Sequence, residues 1–65
     1  MLDVVEVEMQ TGKVSRVIAR SKDSRNAEAI VNMAVARRGV TDHFFAAVLA
    51  AKYREGDEYV GTGTL

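Results

Sequence analysis

Residues 2–20 read LDVVEVEMQTGKVSRVIAR, and the way this stretch folds back on itself decides the architecture. Val5, Val7 and Met9 alternate with Glu6 and Glu8, the period of two expected of a half-buried strand. Val14, Val17 and Ile18 mark a second run over Lys13 to Arg20, with Thr11-Gly12 between the runs, where glycine supplies the positive φ of a tight turn. A β-hairpin over about residues 2–20 is the expectation. With Thr11 and Gly12 as the two loop residues, Met9 faces Val14, Val7 faces Arg16 and Val5 faces Ile18 on the core face. Glu6 then faces Val17, and Glu8 faces Ser15, on the solvated face. Arg16 is the anomaly of this register, because a guanidinium on a core face has to reach the rim or find an anion.

Downstream, Ser21 to Ser24 form a polar break. Ala27, Ile30, Val31, Ala34 and Val35 then recur at the spacing of an amphipathic helix, from about residue 25 to 38. Ser24 or Asp23 can cap it, Glu28 suits the positive end of its dipole, and Arg37-Arg38-Gly39 provides a basic last turn and a stop. The last third has two readings. Phe44, Phe45, Val48 and Leu49 among four alanines fit a second helix over about 42–54, capped by Thr41 and stopped by Gly56, and this is the preferred one. The rival makes His43 to Leu49 a strand and Glu58 to Val60 another, joined by a turn near Arg54 to Asp57. Gly61 to Leu65 reads as a flexible tail.

The whole is one small α+β domain of 65 residues, with no room for a second. A composition of 48% apolar and 28% charged residues is that of a folding globular chain. Cysteine is absent, which excludes disulfides, a thiol nucleophile and Cys-based metal sites. Asp3, Glu6 and Glu8 break the run a secretory signal would need. The longest uncharged stretch, His43 to Ala51, is nine residues where a spanning helix needs about twenty. The expected location is the cytoplasm. A domain this small buries only about 60% of its unfolded surface, so self-association into a homo-oligomer is expected as reinforcement.

Net charge is zero, but residues 13–38 carry seven bases against two acids, so a basic middle lies between acidic ends. Arginine recognises phosphate bidentately, and a helix start presents free N–H groups to an anion. Arg16, Arg20, Lys22, Ser24, Arg25 and Asn26 are therefore the candidate anion-binding residues, with Phe44 or Tyr53 to stack on a base. Met33 and Phe45 are candidate interface residues. Arg37-Arg38 is the weaker case for a nucleic-acid contact, which the neutral chain as a whole disfavours.

His43, the lone histidine, follows Asp42 and could act as a base, but a surface histidine is the commoner outcome and no triad accompanies it. Glu6 and Glu8 with Asp57 or Glu58 could in principle hold Mg²⁺, though solvated acids are commoner, and no metal or cofactor is expected. Gly61 and Gly63 form no phosphate-binding fingerprint.

The hairpin Val4 to Arg20, the segment Arg25 to Val31 with Arg37-Arg38-Gly39, and Tyr53 to Tyr59 together resemble the small accessory proteins of phages and prophages, across most of the chain. The resemblance carries over no functional residue. It implies a non-enzymatic protein of the counter-defence type, acting in the host cytoplasm. Some such proteins block a host protein, and others are compact oligomers that sequester nucleotide signals. Capture of a small anionic ligand is thus the first functional expectation. Protein–protein inhibition through Met33 with Phe44 or Phe45 is the second.

Overall fold

The computed structural model describes residues 1–39 and 41–60. Four elements follow in order, β1 (Leu2–Glu8), β2 (Val14–Ser21), α1 (Ser24–Arg38) and β3 (His43–Leu49). The strands form one antiparallel sheet in the order β2-β1-β3, and α1 lies across one face of it. The expected α+β domain with an N-terminal hairpin and a following helix is what forms.

β1 departs from its expected half-buried state, for Leu2 to Val7 are all buried. Leu2 and Val4 pack with Ala27 of α1 and with Ile18, Ile30, Val31 and Ala47. Val5 and Val7 point the other way, into a cluster with Val14, Val48 and Tyr53, edged by Phe44, Ala46 and Tyr59. The second cover is thus the chain after β3, which returns beneath the sheet and closes on the hairpin. Tyr59 N–H donates to Gly12 C=O, Val14 N–H to Asp57 C=O and Gly56 N–H to Val14 C=O.

The hairpin register also differs from the two-residue-turn expectation. Leu2 to Val4 pair with Ser21 to Ala19 in that register, but Val5 pairs with Val17, Glu6 with Arg16 and Val7 with Val14. Ile18 and Ser15 are the two residues passed over, each making a bulge in β2. The slack is absorbed by a five-residue connection, Met9 to Lys13, in which Gly12 at φ 72° donates to Glu8 C=O. The bulges place Arg16 opposite Glu6 and Val14 opposite Val7, so the guanidinium leaves the core position and a valine enters it.

α1 is capped by Asp23, whose carboxylate accepts from Asn26 N–H at 2.8 Å, and it ends at Gly39, with φ 74°. Arg37 and Arg38 close its last turn as expected, whereas Glu28 sits beyond the first turn and does not serve the dipole there. Of the expected apolar stripe only Ala27 is fully buried. Ile30, Val31 and Ala34 are half-buried, and Val35 is exposed.

The preferred helix over 42–54 does not form. His43 to Leu49 is a strand paired with β1 over seven consecutive residues without a bulge. Helix propensity of the alanines yields to the open edge of β1, which the strand fills, and to the alternation of Phe44, Ala46 and Val48 with Phe45 and Ala47 on opposite faces. The rival reading also has its turn in place, with Arg54 N–H donating to Asp57 Oδ2 at 2.8 Å. Glu58 to Val60 amounts to a single bridge, Lys13 with Glu58, and not a strand. The tail expectation for Gly61 to Leu65 falls outside the described residues.

Ala51, just past β3, adopts φ 63°, a left-handed conformation that costs a non-glycine residue on the order of 1 kcal/mol. Ala51→Gly is expected to raise the melting temperature by a few degrees, about 0.5–1 kcal/mol, as read by circular dichroism. Ala51→Val should lower it.

Candidate functional site

Both buried acids of β1 are held by arginines from neighbouring elements. Asp3 lies opposite Arg20, whose Nε donates to Oδ1 at 2.8 Å and Nη2 to Oδ2 at 3.4 Å, while Ala51 N–H donates to Oδ2 at 2.9 Å. The Arg20 hydrogen bonds, reinforced by the Ala51 amide, hold the Asp3 carboxyl below its ordinary value against the opposing effect of burial. Glu6 points to the helix side and takes two arginines, Arg38 Nη1 at 2.6 Å and Arg16 Nη2 at 3.5 Å.

These last two residues line a groove of about 480 Å³ between β2 and α1. Its floor is Ile18, Ile30 and Ala34, Met33 stands on its rim with 56% of its surface exposed, and Arg37 joins Arg16 and Arg38 along its wall. Glu6 neutralises part of this charge. Each arginine has five N–H donors, and the single ion-pair contacts of Arg16 and Arg38 leave most of theirs free. Arg37 forms no ion pair among the described residues. Three guanidinium groups over an apolar floor can seat a phosphate or carboxylate whose remaining part is apolar. No nucleophile or general base lies among the groove's lining residues.

The candidates named from sequence are divided by this geometry. Arg16 belongs to the groove near the end of α1, while Lys22, Ser24, Arg25 and Asn26 lie at its start and Arg20 is occupied by Asp3. At that start the Asp23 carboxylate already takes the Asn26 N–H, and Ser21 Oγ donates to Asp23 C=O. Phe44 and Tyr53 lie on the sheet face away from α1, packed edge-on and tilted against Tyr59. Tyr53 is 7% exposed, and its hydroxyl donates to Val60 C=O and accepts from Val60 N–H, so it is a core residue rather than a stacking platform.

Met33 and Phe45 are likewise separated. Phe45 is buried beside a smaller groove between α1 and β3, lined also by Ser24, Glu28, Val31 and Ala47. With Phe44 on the opposite sheet face, the three residues do not form one inhibitory surface.

His43 Nδ1 lies 2.9 Å from Asp42 Oδ1, and this contact holds the exposed Asp42 carboxyl below its ordinary value. The ring meets Phe45 edge-on at 5.2 Å, and Nε2 is buried without a hydrogen-bond partner among the described residues. A general base has to present its free nitrogen to a substrate, and here that atom is enclosed. The acids of the possible Mg²⁺ set do not come together either. Glu6 is tied to two arginines, Asp57 accepts from Arg54, and no cluster of three potential ligands occurs among the described residues.

Comparison with known protein families, with curated proteins and with solved structures finds no match to this chain. No helix among the described residues is long and apolar enough to cross a membrane.

Sequence reasoning missed the union of Arg37 and Arg38 with Arg16, and the burial of Asp3 and Glu6. One signal was available: Arg16 stood where the simple register demanded an anion, and the anion was Glu6. Nothing local to residues 37–38 indicates which strand they will meet.

Asp3→Ala is expected to cost about 2 kcal/mol or more, since it removes three hydrogen bonds to a buried carboxylate. Because the folded value of Asp3 is the lower one, its contribution is complete above its ordinary value of 3.8 and is lost progressively as pH falls from there through the folded value. Chemical denaturation at pH 7 and at pH 3 should therefore show a larger stability difference between wild type and Asp3→Ala at the first pH than at the second.

Proposed function

We propose that this chain is a non-enzymatic binding protein that captures a small anionic ligand, with a nucleotide as the best-fitting class, in the groove between β2 and α1. The observation that carries this reading is the convergence of Arg16, Arg37 and Arg38 on one apolar-floored groove against a single carboxylate, Glu6. Phosphate oxygens engage Arg37 and the free donors of Arg16, while Arg38 stays anchored to Glu6 and fixes the wall. The base lies against Ile30, Ala34 and Met33, whose thioether is a favourable neighbour for an aromatic ring. The site stands at the negative end of the α1 dipole, an unfavourable term of a few tenths of a kcal/mol that two charge-assisted arginine contacts exceed severalfold.

The resemblance to phage accessory proteins supports the same reading, sequestration of a nucleotide signal in the host cytoplasm by a counter-defence protein. Exposed Met33 and Val17 on the groove rim favour a second reading, in which the groove receives an apolar segment of a host protein.

Isothermal titration with ATP, pyrophosphate and adenosine separates the two. Nucleotide capture predicts binding of ATP that Arg37→Ala weakens about tenfold or more and that Arg25→Ala leaves unchanged. Met33→Ala should weaken ATP and spare pyrophosphate. Absence of any heat with millimolar ATP, or ATP binding indifferent to Arg37→Ala, would overturn the groove assignment.

A further inference from the structure

The two edges of the sheet are unlike. β2 is bulged at Ser15 and Ile18, carries Arg16 and Arg20, and is flanked by Lys13 and Lys22, all features that discourage another strand from adding to it. β3 has no bulge and no charged residue within it. Its sequence HFFAAVL contains no charge, glycine or proline, and its pairing with β1 is unbroken from His43 to Leu49.

The direction in which β3 presents its backbone follows from the bonds at its two ends. Met9 N–H donates to Asp42 C=O at 2.9 Å and Ala50 N–H to Met1 C=O at 3.1 Å, both continuing the β1–β3 register. In an antiparallel pair such bonds recur at every second residue, so Phe44, Ala46 and Val48 turn their amides toward β1. His43, Phe45, Ala47 and Leu49 turn theirs outward. Among the described residues the one backbone bond on that outer side is Lys52 N–H to Leu49 C=O at 3.1 Å. Among the described residues, seven of these eight donor and acceptor groups therefore have no backbone partner along an uncharged strand, with Leu49 55% exposed at its end.

We infer that the outer edge of β3 is the self-association surface of this protein, pairing antiparallel with β3 of a second copy to make a continuous six-stranded sheet. The second copy is indicated by the charges at the ends of the strand. β3 is preceded directly by exposed Asp42 and followed, in the turn three residues past Leu49, by exposed Lys52, whose ammonium lies 5.7 Å from the centre of the Tyr53 ring. A two-fold axis at Ala46 sets Phe45 of each copy opposite Ala47 of its mate and brings the acidic end of each copy alongside the basic end of the other, twice over, as an isologous interface requires. Phe45 and Ala47 amides exchange hydrogen bonds across the axis, and Leu49 is covered by the partner strand. The β2–α1 grooves remain open at the far edges of the double sheet, so this inference stands or falls apart from ligand capture.

Sedimentation velocity across a concentration series, from micromolar to several hundred micromolar, tests the mass. The chain of 7.1 kDa is expected to move to about twice that mass as concentration rises. Lys52→Asp alone and Asp42→Lys alone should each weaken association, by about tenfold over the two symmetric contacts, and the double exchange should restore it. Leu49→Lys should abolish the dimer. Because all these positions are exposed, circular dichroism should remain that of the folded chain. Amide exchange gives the location: Phe45, Ala47 and Leu49 N–H should become protected as the dimer forms. A monomer at every concentration would overturn the inference. So would a dimer whose strength ignores Leu49→Lys and whose Phe45 and Ala47 amides still exchange freely.

Discussion

Between Leu2 and Val7 the first strand has a neighbour in every direction. Two strands take its edges, α1 lies on one face, and the returning chain with Tyr53 and Tyr59 lies on the other. Most of the core is therefore a shell around one strand. Val4, Val5 and Val7 have no exposed surface, and each contributes roughly 1.5–3 kcal/mol by the area it removes from water. A chain this short cannot assemble a thick two-layer core, and wrapping a central strand is how it buries apolar surface on two sides with few residues.

The same constraint explains the polar architecture. A strand enclosed on both faces cannot leave Asp3 and Glu6 unpaired, because a lone buried carboxylate is far costlier than a paired one. Arg20 answers Asp3 directly across the hairpin, whereas Arg16 reaches Glu6 only because β2 bulges between them. The bulges sacrifice ladder hydrogen bonds on an edge where water can replace them, and in exchange they remove a guanidinium from a valine cluster. Arg38 completes the Glu6 pair from α1, drawing the end of the helix toward β2 and setting the wall of the groove. Ion pairing that the enclosed strand demands thus shapes the surface on which ligand chemistry can operate.

What was legible in the sequence follows from this. The hairpin and α1 announce themselves through local signals: a period of two, a glycine turn, a 3.6-residue stripe and a Gly39 stop. The α1 stripe in the sequence is wider than the face that packs, and Val35 lies exposed, because only one narrow line of the helix meets the sheet. β3 was harder, since alanine-rich segments satisfy both periods and only the vacant edge of β1 decides between them. The burial of both faces of β1 could not be read from β1 itself. Its acid–apolar alternation matches a solvated face unless Arg16, Arg20 and Arg38 are already known to converge on it. The candidate site suffered similarly, for Arg16 and Arg37 are twenty-one positions apart and belong together only through the fold.

Centrality of the earliest strand also has a temporal side. β1 is synthesised before everything that covers it, and the partners for its second edge and second face come from residues 43–49 and 53–59. The hairpin alone is a two-stranded ribbon of the kind that is marginal in water. Until the last third of the chain is available, Val5, Val7 and an unmatched β1 edge stay exposed to solvent and to other nascent chains. The long loops that must close to cover them make folding slow compared with helical proteins of equal length. For this fold residues 43–59 act as the latch that converts a sticky ribbon into a finished domain, and acquisition of the native state is concerted rather than progressive along the chain.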